Sequence, residues 1–159
     1  MILHNQVHLE MLTSLQEHHV EFLIVGGYAV ILHGYIRTTG DMDIWVNPSP
    51  ENINRLLDAF SQMQFDPHGI EQIRTMDFSH PVVFHIGVEP DRIDFLSHIA
   101  GLDFAKAHSR HESILYQQYH IPYLHLDDLI INKLRSNRLQ DQADVEALQR
   151  IARIKKTGL

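Results

Sequence analysis

Hydrophobic positions change period several times along this chain, and each change marks an element. Leu9, Met11, Leu12 and Leu15 recur at helical spacing and predict an N-terminal helix within residues 3–19. Phe22-Leu23-Ile24-Val25 is an unbroken apolar run short enough for a buried strand, and Gly26-Gly27 ends it. Tyr28 to Leu32 predict a short helix closed by Gly34. Alternation takes over in Asp41-Met42-Asp43-Ile44-Trp45-Val46, which reads as a strand. Met42, Ile44 and Val46 share its core face, and Asp41 and Asp43 share the other.

Ser49-Pro50 is a helix start, with serine as the cap and proline at the first helical position. Ile53, Leu56, Leu57, Phe60 and Met63 then supply one apolar stripe. Residues 64–80 carry no decisive period; a short helix around Gln72 and a strand both fit. Residues 82–88 and 92–97 read as two strands joined by the turn Glu89-Pro90-Asp91. Asp103 to Ala107 predict a helical turn, and Ser113 to Tyr119 and Ile121 to Leu124 predict further strands around a break. Leu126, Leu129, Ile130 and Lys133 lie along one face of a helix near 127–134, and Val145, Leu148 and Ile151 form a last amphipathic helix. The pattern predicts an α/β (α+β) fold. Its short mixed sheet would have helices packed on one face and the carboxylates on the other, with C-terminal helices following.

Length and composition frame this picture. A chain of 159 residues that is 44% hydrophobic is most simply one domain, 1–159, with a core over 20–100 and a helical C-terminal part over 126–155. No apolar run approaches the roughly 20 residues that span a bilayer, and the polar start MILHNQVHLE is unlike a signal peptide. A cytoplasmic protein without a membrane partner is therefore expected. Cysteine is absent, which excludes disulfides and thiolate zinc sites. The net charge of −7 divides into −11 over residues 1–132 and +4 from Lys133 to Leu159. An acidic body argues against generic nucleic-acid binding, and DNA is not an expected partner. The basic segment leaves room for one localised anionic partner, or is a solvated helix end.

The candidate chemistry lies in the carboxylates. Aspartate is depleted in strands, and two acids about 6–7 Å apart along one face repel unless a cation lies between them. Oxygen-only ligands favour a hard ion such as Mg²⁺. Asp94, between Ile93 and Phe95, would stand out from a sheet surface beside the first pair, and three acids on adjacent strands can hold two ions. Glycines at Gly26-Gly27 let backbone N–H groups approach a phosphate, helped by the start of a helix. Arg37, a few residues before the acids, can clamp a phosphate or pair with an acid. Lys133 on an inward helix face needs a partner, which the metal acids or a triphosphate would supply. Of the thirteen histidines, none falls in a zinc motif; His108 and His111 lack a third ligand nearby in sequence. His33 and His85 read as core or near-site residues. Neither Gly-x-Gly-x-x-Gly nor a Walker-type lysine is present, so dehydrogenases and P-loop NTPases are not supported.

Gly26-Gly27, the Asp41-x-Asp43 pair and the later apolar-Asp94-apolar strand, in that order, resemble the signature of the DNA polymerase beta-like nucleotidyltransferase superfamily. GGYAVILHG with RTTGDMDIWV most resembles its small AbiEii-like members of the abortive-infection and toxin–antitoxin type, over roughly residues 20–145. The resemblance implies an enzyme that moves an NMP from an NTP such as ATP to an acceptor hydroxyl and releases pyrophosphate. It implies Asp41, Asp43 and Asp94 as catalytic metal ligands for two Mg²⁺ ions, with Mn²⁺ as a substitute. Gly26, Gly27, Arg37 and Lys133 become nucleotide contacts. The implied acceptor is RNA, at a tRNA 3′ end, or a protein side chain, and a cognate antitoxin is an implied partner. Related antibiotic-modifying enzymes use small-molecule hydroxyls instead. A non-catalytic antitoxin or binding relative, and two-metal phosphodiester hydrolysis, are the competing readings. Related toxins often carry lysine where this chain has Gln140, so Asp141 and Asp144 read as capping or ion-pairing residues.

Overall fold

Strands with apolar residues on both faces need cover on both sides, and that requirement sets the architecture. The computed structural model describes residues 3–158. Helix α1 (Gln6–Glu17) leads into β1 (Phe22–Val25), α2 (Gly26–Leu32) and β2 (Met42–Val46). Helices α3 (Pro50–Gln62) and α4 (Pro67–Arg74) precede the hairpin β3 (Val83–Ile86) and β4 (Ile93–Leu96). Then come α5 (Phe104–Ser109), β5 (Glu112–Tyr116), β6 (Tyr119–Tyr123), α6 (Leu126–Ser136) and α7 (Leu139–Thr157). The six strands form one mixed sheet in the order β3-β4-β2-β1-β6-β5, with β2–β4 and β1–β6 parallel and the other pairs antiparallel. The expected α/β class with a short mixed sheet and C-terminal helices is what the chain forms.

Helices cover both faces, not one as the sequence pattern suggested. Phe22, Ile24, Met42, Ile44, Val46, Ile93 and Phe95 bury one face against α1 and α3. Leu23, Val25 and Trp45 bury the other with residues of α2, α5, α6 and α7, among them Ala29, Phe104, Leu129 and Leu148. The reason is visible in β1: all four of its residues are buried, and a strand apolar on both faces cannot leave either wet. The carboxylates therefore share a face with α2 and α6.

Local signals mark several boundaries. Ser49 accepts from the Asn52 amide and Pro50 opens α3, as its sequence predicts. Residues 64–80, whose sequence has no decisive period, contain α4, capped by Asp66 with Pro67 in the first turn. Of the two alternatives for this stretch, the helix around Gln72 forms; it opens on the same polar cap and proline as α3, and with only Ile70 of α4 buried it carries no apolar stripe. No helix among the described residues is long and apolar enough to cross a membrane.

Candidate active site

Parallel pairing of β2 with β4 places Asp43 directly beside Asp94, one strand spacing of about 4.8 Å away. Their neighbours Met42, Ile44, Ile93 and Phe95 are buried on the opposite face, so both carboxylates project from the face that carries Val25 and Trp45. Asp43 also pairs across β1 with Val25, the residue before Gly26. Gly26 has a φ of +64°, and a Cβ there would overlap the Asp43 carboxylate. Glycine is needed at this bend for its conformation and for the space it leaves.

Asp43, Asp94, Gly26 and Lys133 line one cleft of about 290 Å³, with His98, Asn132, Ser136 and Arg138 also on its walls. Burial, with the charges of Asp94 and then Asp41, pushes the Asp43 carboxyl up to about 6, against opposing pulls from Lys133 and Arg138. Asp94 is ion-paired with Arg92 at 2.8 Å. Asp41, at the entry to β2, does not line this cleft; its Oδ1 is buried without a hydrogen-bond partner. Among the described residues no three His, Cys, Asp or Glu side chains converge closely enough to hold one ion. Like charge drives such carboxylates apart, and Arg92 takes one oxygen of Asp94.

The cationic residues form a second, interlocked group. Lys133, 4% exposed, lies 3.0 Å from both Asp141 Oδ1 and Asp144 Oδ2. Arg37 reaches Asp144 from the loop after α2, with Nε 3.0 Å from Oδ1. Arg138, at the start of α7, pairs with Asp141 at 2.9 Å, while Asp141 accepts from the Arg138 amide. Burial would raise the Asp141 carboxyl, but hydrogen bonds from Arg138 and Lys133 hold it below the usual carboxylate range. Gln140 donates to Asp144. Three cations meet two carboxylates here, which leaves one positive charge beside the cleft.

Asp141 and Asp144 are thus capping and ion-pairing residues, as expected. Lys133 has them as partners in addition to its place on the cleft wall. Arg37 and Gly27 do not line the cleft, although a Cβ on Gly27 would come within 2.9 Å of Arg37 Nη2, so the guanidinium lies over the glycine bend. His33 is a buried core residue, its Nε2 donating to Leu124 O at 2.7 Å while its Nδ1 has no hydrogen-bond partner. Sequence reasoning missed Arg92 and Asn132. Arg92 had a signal: it is two residues from Asp94, hence on the same strand face. Asn132, whose side chain donates to Ala100 O, had none.

The donor set suits a divalent metal. It is all carboxylate oxygen, it holds an orphaned buried Oδ1 on Asp41, and burial followed by the charges of Asp94 and Asp41 raises the Asp43 carboxyl.

Residues 3–156 match the model of the family described as "Nucleotidyltransferase of unknown function (DUF6036)". No curated protein sequence matches the chain. Among solved structures it is similar to TM1012 of Thermotoga maritima, a protein assigned to the nucleotidyltransferases, with a TM-score of 0.61 and 14% identity over 89% of each chain. It is also similar to the lincosamide antibiotic adenylyltransferase LnuA bound to lincomycin, with a TM-score of 0.57 and 12% identity. That match covers 93% of this chain and 98% of LnuA. At such identities the likeness is one of fold.

Proposed function

Because the chain belongs to the DUF6036 nucleotidyltransferase family, we propose that it moves a nucleoside monophosphate from an NTP to an acceptor hydroxyl, releasing pyrophosphate, with residues 1–159 acting as one cytoplasmic domain. The observation that carries this reading is the register of Asp43 with Asp94, in one cleft with Gly26 and Lys133.

Asp41, Asp43 and Asp94 would hold two Mg²⁺ ions, with Mn²⁺ as a substitute. Ions bound there would neutralise charge that builds on the attacking and leaving oxygens. The chain's own residues bind and orient. Gly26 and Gly27 offer backbone N–H groups to the β- and γ-phosphates of the NTP, ATP being the first to try. Lys133 is held by Asp141 and Asp144, each 3.0 Å from its Nζ, and an ammonium has a third N–H donor that would serve the phosphates. Arg37, anchored by Asp144, supports the glycine bend and adds positive potential there.

For the acceptor, RNA at a tRNA 3′ end is the first choice and a protein side chain the second. Exposed Arg150, Arg153, Lys155 and Lys156 on the outer half of α7 support RNA. Matching order of Gly26-Gly27, Arg37, Asp41-x-Asp43 and Asp94 supports an AbiEii-like enzyme of a toxin–antitoxin pair, with a cognate antitoxin as partner. A small-molecule acceptor is the alternative to both, favoured by the fold shared with a lincosamide adenylyltransferase. The test is incubation with Mg²⁺, each α-³²P-NTP and, separately, total cell RNA, lysate protein and hydroxyl-bearing antibiotics. Label should appear on RNA and vanish in Asp43→Ala. No label on any acceptor, or full labelling by the variant, would overturn the reading.

A further inference from the structure

Resting on the transfer reading above, we propose that the acceptor enters over the outer strand β3 and that His85 is the side chain that binds it. Pairing registers create a row across four strands. His85 of β3 lies opposite Asp94 of β4, Asp94 beside Asp43 of β2, and Asp43 opposite Val25, where the chain bends at Gly26. Paired residues project to the same face, so an imidazole, two carboxylates and the glycine bend lie along one line. Exposure falls along it: His85 is exposed, the Asp94 side chain is 17% exposed, and Asp43 lies in the cleft. The glycine end is walled by Lys133 and Arg138. At the other end Val83, two residues from His85 on the same face, is 62% exposed.

In-line displacement assigns each end its part. Attacking and leaving oxygens lie on opposite sides of the α-phosphorus. With pyrophosphate leaving toward Gly26 and Lys133, and the phosphorus above Asp43 and Asp94, the acceptor hydroxyl has to approach from β3. A bond forms between the acceptor oxygen and the α-phosphorus, the bond to the bridging oxygen breaks, and the hydroxyl proton passes to solvent. His85 stands on that approach, its Cβ about 4.5–5.5 Å from that of Asp94. This is close enough for its ring to hydrogen-bond the acceptor beside the reacting hydroxyl. Arg92, its side chain 38% exposed and paired with Asp94, adds a cation to the same ledge.

The test compares full-length His85→Ala and His85→Gln with wild type, using the acceptor that wild type labels and the NTP it uses. Binding of that NTP's α,β-methylene analogue with Mg²⁺ is measured by calorimetry. The expected result is an acceptor KM raised at least tenfold in His85→Ala, analogue affinity within twofold of wild type, and partial recovery in His85→Gln, which keeps a hydrogen-bonding group. An unchanged acceptor KM, or a loss of analogue affinity, overturns the assignment while leaving the transfer reading intact. A wild type that labels no acceptor overturns both.

Discussion

Gly26 and Asp43 approach so closely that no side chain fits between them: a Cβ on Gly26 would lie 3.0 Å from Asp43 Cγ and closer still to Oδ2. The backbone there also has the positive φ that only glycine adopts freely.

Gly26→Ala should therefore cost stability and activity together. The left-handed conformation alone costs about 1–2 kcal/mol for a residue with a Cβ, and displacement of the Asp43 carboxylate adds to it. Chemical denaturation should show a loss of about 2 kcal/mol, and nucleotide transfer should fall at least tenfold even where the variant is fully folded. A variant as stable and as active as wild type would contradict the close approach.

Asp43 should destabilise the metal-free protein at neutral pH. Its folded carboxyl titrates at about 6, above its ordinary 3.8, so the native state binds the proton more tightly than the unfolded chain. That contribution is fully present at about pH 4 and below, and is lost as pH rises through 6. Asp43→Asn in EDTA should then be more stable than wild type at pH 8, by up to about 3 kcal/mol, with the gap closing between pH 6 and pH 4. Denaturant midpoints across that range check it. Added Mg²⁺ should stabilise wild type and not the variant.

Asp144 holds two cations from two elements, Arg37 and Lys133, and is fully buried. Asp144→Asn should cost about 3 kcal/mol, because it leaves Arg37 without a carboxylate and Lys133 with Asp141 alone. Arg138→Ala removes a cation whose side chain is 77% exposed and should cost less than about 1 kcal/mol. Equal losses in urea unfolding would show that the buried carboxylate does not clamp Arg37 and Lys133.

Arg92 competes with any cation for Asp94. Arg92→Met should tighten Mn²⁺ binding, read by electron paramagnetic resonance, by a factor of about five at most, because an ion pair this open to solvent is weak. Weaker binding would mean that Arg92 orients Asp94 for the ion instead of occupying it.

Local chemistry was legible in the chain itself. The alternation around Met42, Ile44 and Val46 put Asp43 on the far face of its strand, the Ser49-Pro50 start gave α3 its boundary, and the spacing of Leu126, Leu129 and Lys133 turned a lysine inward. Each depends on the period of one element and its nearest neighbours. The two-sided helix cover was less visible, although the fully apolar β1 carried its signal.

The sequence by itself determined which residue types stand on which face of each strand and helix, because side-chain direction follows from backbone periodicity. Only the tertiary structure decided that Asp94 sits beside Asp43, that His85 completes their row, and that Arg37, Lys133, Asp141 and Asp144 close into one ion network. Those contacts join residues up to 107 positions apart. Their register is set by how both faces of the sheet bury their apolar surface together, and no local period encodes that.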